Sequence, residues 1–71
     1  MKNIAINTEF IKLDSFLKYA GLYPSGGEAK AAIENGEVAV NGQPCAMRGK
    51  KLRPGDTVSA CGETFTVEKT V

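Results

Sequence analysis

The chain has 71 residues, of which 42% are hydrophobic and 24% charged, with a formal net charge of +1. That mixture is too apolar for a disordered chain and suits one small folded domain spanning residues 1–71, close to the size at which a single apolar core suffices. The apolar runs are far shorter than the roughly 20 residues needed to cross a bilayer, and MKNIAINTEF meets polar Asn3, Asn7, Thr8 and Glu9 before any signal-like apolar stretch, so the expected compartment is the cytoplasm.

In chain order, Asn3 to Ile6 alternates polar and apolar residues, which predicts a short strand followed by a turn in NTEF. In KLDSFLKYAGL the apolar Leu13, Phe16, Leu17 and Ala20 recur at i, i+3, i+4 and i+7. This spacing predicts a helix over residues 13 to 20, stopped by Gly21 in a left-handed conformation. Ser25 followed three positions later by Glu28 forms a capping box for a second helix, whose Ala29, Ala32 and Ile33 make a narrow apolar stripe and which Gly36 ends.

The remainder reads as β. VAVNGQP places Asn41-Gly42 after an alternating run, a strong hairpin signal, and Pro44 confines the residues after it to a sheet edge or an irregular strand. LRPGD is a turn into TVSAC, and Gly62-Glu63 turns that strand back into TFTVE. The expected fold is α+β: two short helices packed on a small, mostly antiparallel sheet of four to five strands. Leu13, Phe16, Leu17, Ile33, Val38, Val40, Val58, Phe65 and Val67 are its expected core.

Chemistry-bearing patterns are few. The sequence has no histidine, and its two cysteines, Cys45 and Cys61, stand sixteen positions apart without a CxxC pair, so neither a metal nor another cofactor is expected. The spacing leaves a disulfide open, but a reducing compartment favours two partly buried thiols without a reaction to perform. No nucleophile elbow, phosphate-binding loop or coupled acid pair suggests an enzyme.

Charge placement is more informative than net charge. Arg48, Lys50, Lys51 and Arg53, four of the nine basic residues, fall within RGKKLR, whereas the acids are scattered. A basic segment, a glycine-opened helix start and a compact Asn-Gly turn all suit a phosphate backbone. With about five phosphate contacts, affinity would fall with salt at a logarithmic slope of about −3 to −5. Taken singly, each feature has a plainer reading: RGKKLR as a solvated loop that guards a sheet edge, Lys12, Lys18 and Lys30 as helix-surface lysines, Ser25 as a cap, and Asn41-Gly42 as a turn.

The ordered set KLDSFL, GL, SxxEAK, IxxGxVxVNG and PGDxV, over about residues 12 to 58, resembles the S4-type RNA-binding domain. SGGEAK and the short length are most similar to its small stand-alone bacterial members of the YbcJ/YaaA type. The resemblance implies that the two helices and the adjoining hairpin dock onto structured RNA, ribosomal RNA or a ribosome-assembly intermediate above all. The chain would act as a monomer, near ribosomal proteins and away from membranes.

It further implies that Lys12 stands where the family commonly has an arginine before Leu-Asp, and that Lys30 fills the basic position after Glu-Ala. The candidate RNA-binding residues are therefore Lys12, Lys18, Ser25, Gly26, Gly27, Lys30, Asn41, Arg48, Lys50, Lys51 and Arg53. Many members carry an arginine at the position of Gly26. Either backbone N–H groups approach phosphate directly here, or this helix start serves another partner. The alternative function is a protein–protein adaptor, for which Glu28, Glu34 and Glu37, expected on the second helix, would argue by repelling RNA.

Overall fold

A computed structural model describes residues 2–70. The elements run β1 (Lys2–Ile6), β2 (Ile11–Lys12), α1 (Leu13–Tyr19), α2 (Gly26–Glu34), β3 (Ala39–Val40), β4 (Gln43–Pro44), β5 (Lys51–Leu52), β6 (Thr57–Ala60) and β7 (Glu63–Lys69). Five strands form one sheet in the order β1-β7-β6-β3-β4, while β2 and β5 make a separate two-stranded ribbon. The main sheet is antiparallel except where β1 lies parallel to β7, in the register Lys2↔Phe65 to Ile6↔Lys69.

Both helices end as glycine permits. Gly21 and Gly36 sit at φ of +79° and +78°. The Gly21 N–H donates to the Lys18 carbonyl and the Leu22 N–H to that of Leu17, and the same double closure recurs from Gly36 to Ile33 and from Glu37 to Ala32. This Schellman pattern satisfies carbonyls the helix itself leaves open. At the start of α2, the Ser25 hydroxyl accepts from the Glu28 N–H at 3.3 Å, making the serine half of the expected capping box. Glu37 falls beyond α2, because the left-handed Gly36 has already turned the chain out of the helix.

Period-two alternation decides which sheet face is covered. Val40, Val58, Ala60, Phe65 and Val67 are buried, while Thr57, Ser59, Thr64 and Thr66 between them stay half-buried. The helices pack on the apolar face, and Phe16 meets Phe65 edge-on with ring centres 6.4 Å apart at 79°, the geometry that ring quadrupoles favour. All nine expected core residues are buried, and Ile6, Ala29, Ala32, Leu52 and Ala60 join them.

Three local readings change. The second hairpin turns at Cys61-Gly62, both at positive φ, rather than at Gly62-Glu63, because a two-residue turn of this hand matches strand twist. That turn also leaves Cys61 exposed instead of partly buried, whereas Cys45 is half-buried; both thiols are free. RGKKLR is not all loop: Lys51 and Leu52 pair with Lys12 and Ile11. No helix among the described residues is long and apolar enough to cross a membrane.

Candidate nucleic-acid interface

The site grows from a capping problem. Lys12 is the residue before α1, and a lysine side chain has no acceptor with which to cap the first N–H groups of a helix. The segment after β4 supplies carbonyls instead: the Leu13 N–H donates to Lys50 O at 2.9 Å and the Asp14 N–H to Arg48 O at 3.2 Å. The basic segment is thereby fastened by its backbone to the start of α1, leaving its side chains free to point elsewhere.

The β2–β5 ribbon completes the attachment. Ile11 faces Leu52 and Lys12 faces Lys51 in an antiparallel register. Directly opposed residues share a face, so half-buried Ile11 and fully buried Leu52 turn to the core while exposed Lys12 and Lys51 turn out together. Lys51 Nζ also lies 4.9 Å from the centre of the Phe10 ring.

Opposed like charges on neighbouring strands repel, and no carboxylate among the described residues relieves this pair. Among the described residues the one ion pair joins Lys2 to Glu63, at 3.0 Å. Arg48, Lys50 and Arg53 likewise lack an acidic side chain within ion-pair distance, although the Arg53 backbone N–H donates to the Asp56 carboxylate at 2.9 Å and so shapes the Pro54-Gly55 turn. Four cations, Lys12, Arg48, Lys50 and Lys51, are thus carried by the ribbon and its capping loop.

The other candidates stand differently. Asn41 occupies its turn at φ +52°, donates to Asp56 Oδ1 and accepts from the N–H and hydroxyl of Thr57. Its side chain ties the β3–β4 turn to the start of β6. Gly26 and Gly27 open α2 without positive φ, and a Cβ at Gly26 would meet nothing within 4 Å, so packing does not require glycine there. Lys30 is half-buried one turn further along, with Glu34 on the same flank at i+4. Lys18 is exposed in the last turn of α1. No hydrogen bond joins Lys18 or Lys30 to the ribbon among the described residues.

Ser15 and Tyr19 stand outside the residues that the sequence singled out for RNA binding. With Lys12 they recur at i, i+3 and i+7, one flank of α1, and all three line a groove between that helix and the end of β1. On the other side of the molecule a hydrogen bond of 3.4 Å joins the Cys61 sulfur and the Tyr23 hydroxyl. With the hydroxyl donating to the sulfur, that hydrogen bond, then burial and the negative charges of Cys61 and Glu37, push the Tyr23 phenol up to about 12.

Comparison with known proteins agrees with this architecture. A family model described as S4 domain matches residues 4–68. The Bacillus subtilis protein named "Probable ribosome maturation protein RlbA" is 48% identical over 59 residues, which make up 83% of each chain. The structure of E. coli YbcJ, described as revealing an ALFAL motif involved in RNA binding, superposes with a TM-score of 0.73 at 32% identity, over 96% of this chain and 87% of that one. Vibrio cholerae heat shock protein 15 gives 0.75 at 28% identity, covering 89% and 67%. A match over nearly the whole length, which takes in the helix pair, the Asn-Gly hairpin and the sheet just described, means that the chain belongs to the S4 domain family.

Proposed function

We propose that this protein binds structured RNA, ribosomal RNA or a ribosome-assembly intermediate, without catalysing a reaction on it. The observation that carries the reading is Lys12 opposed to Lys51 on a two-stranded ribbon, with no carboxylate among the described residues to neutralise either. A phosphate between two such ammonium groups relieves their repulsion and gains two charge-assisted hydrogen bonds. Arg48 and Lys50, held beside the ribbon by the carbonyls that cap α1, extend the cationic surface, and Arg53 follows directly after β5. Family membership and the ribosome-maturation name of the Bacillus subtilis relative support the same partner. Lysines rather than arginines at the centre suit contacts to phosphate more than bidentate reading of base edges, so shape rather than sequence would select the RNA.

Titrating purified ribosomal RNA at several salt concentrations tests this. Lys12→Ala combined with Lys51→Ala should weaken binding and reduce the logarithmic salt slope by roughly 0.7 to 0.9, the contribution of the one phosphate the two lysines share. An unchanged slope in a folded double variant would remove the ribbon from the interface. In that event Glu34, on the flank of α2 that also carries Lys30, would favour the adaptor reading, in which protein partners copurify while RNA does not.

A further inference from the structure

The bend between β1 and β2 leaves a groove that the cationic ribbon borders but does not fill. Ile6, Phe10 and Ile11 form its apolar side, and Lys12, Ser15 and Tyr19 its helical side. Its volume of about 640 Å³ lies within the roughly 300–1,000 Å³ of pockets that hold small organic groups. Among the described residues Lys12 is the one charged residue on its walls.

Tyr19 makes this groove unusual. It is 64% exposed, yet its hydroxyl donates to the Ala5 carbonyl at 3.3 Å, which links the ring to the end of β1 while leaving most of its surface to solvent. An exposed aromatic ring already held in place offers a stacking surface with little further loss of rotamer freedom. Phe10, beneath the Lys51 ammonium, borders the same space. Asn7, Thr8, Ser15 and Thr70 also line it; the Thr8 hydroxyl already donates to the Phe10 carbonyl, and the others supply donors and acceptors of the kind that read a base edge.

We infer that this groove receives one unstacked nucleobase of the bound RNA, with the phosphate beside that base resting on Lys12 and Lys51. The inference builds on the RNA-binding reading above and specifies the RNA further: a helix bearing a bulged or flipped-out nucleotide, not a continuous duplex. Structured RNA recognised by proteins commonly presents such splayed bases to aromatic side chains. Charge complementarity selects this occupant, because the groove is neutral and amphipathic within and cationic at the rim, as a base joined to a phosphate is apolar in its faces and anionic at its link.

The test uses an RNA hairpin carrying a single bulged 2-aminopurine and the same hairpin fully paired, titrated with the full chain and with Tyr19→Ala, Tyr19→Phe and Lys12→Ala. The bulged hairpin should bind about tenfold tighter, within the range that one base–aromatic stack supplies, and its 2-aminopurine fluorescence should fall on binding. Tyr19→Ala should abolish both effects and leave affinity for the paired hairpin unchanged, while Tyr19→Phe, which keeps the ring, retains most of the preference. Thermal melting of each variant confirms the fold, since Tyr19 is not part of the core. Equal binding of the two hairpins by the parent protein, with Lys12→Ala weakening both alike, overturns the groove and leaves the phosphate-binding reading standing. Failure to bind either hairpin overturns both.

Discussion

Two hairpins in this chain turn on left-handed pairs, Asn41-Gly42 at φ +52° and +83° and Cys61-Gly62 at +54° and +75°. Asparagine tolerates that conformation, whereas most other L-residues lose roughly 1–2 kcal/mol in it. Cys61→Asn should therefore stabilise the protein by about 1 kcal/mol, read as a higher urea midpoint at constant slope. The same thiol holds Tyr23 protonated. With the folded value near 12 against an ordinary 10, the associated stability is complete below pH 10 and is lost as pH rises towards 12. Alkaline absorbance titration should show the Tyr23 transition moving back towards 10 in Cys61→Ala. Single-residue signals of this kind were legible wherever the backbone needs a particular residue: Ser25, Gly21, Gly36 and the Asn41-Gly42 turn all act as their types require. Cys61 was not, because nothing in a cysteine announces a left-handed turn, and Asn41 carried a structural duty towards Asp56 and Thr57 that only the folded arrangement reveals.

Between elements, the deciding feature is the ribbon of β2 and β5, two residues each. A two-residue strand has no period to detect, so RGKKLR read as a loop, and the carbonyl caps from Arg48 and Lys50 use backbone atoms that any sequence would provide. The concentration of charge could be read; the anchoring of that charge to the core through Leu52 could not. Leu52→Ala should cost about 2–5 kcal/mol as other buried leucines do, and should weaken RNA binding beyond that loss by freeing Lys51 from its register. Lys51→Glu separates stability from function more sharply. It turns a repulsive cross-strand pair into an attractive one, worth about 0.2–1 kcal/mol, so the variant should melt higher and bind RNA worse. A variant that loses both would mean the lysines are held there for the fold. At the start of α2, Gly26→Ala should stabilise by about 0.5–1 kcal/mol, since the position is open and its φ is ordinary. If the helix start also approaches phosphate, the same variant binds RNA less tightly, and Gly26→Glu less tightly still.

On the scale of the molecule, two helices packed on a mostly antiparallel sheet of four to five strands were readable from periodicity and turn signals, because alternation in β6 and β7 and the i, i+3, i+4 spacing in α1 both point at one core. The parallel pairing of β1 with β7 was not, since it joins the two ends of the chain and leaves no local mark. That closure matters for the interface: it sets the end of β1 against α1 and so creates the groove beside the ribbon. Lys12 belongs both to the cationic ribbon and to the wall of this groove, so the two adjoin at the proposed RNA surface. The most direct measurement is ultraviolet crosslinking in cells, with sequencing of the recovered RNA, comparing the parent chain with a folded variant carrying Lys12→Ala, Lys50→Ala and Lys51→Ala. A discrete region of ribosomal RNA should be recovered with the parent and lost with the variant; equal recovery from both, or no RNA above background from the parent, would contradict an RNA interface built on this ribbon.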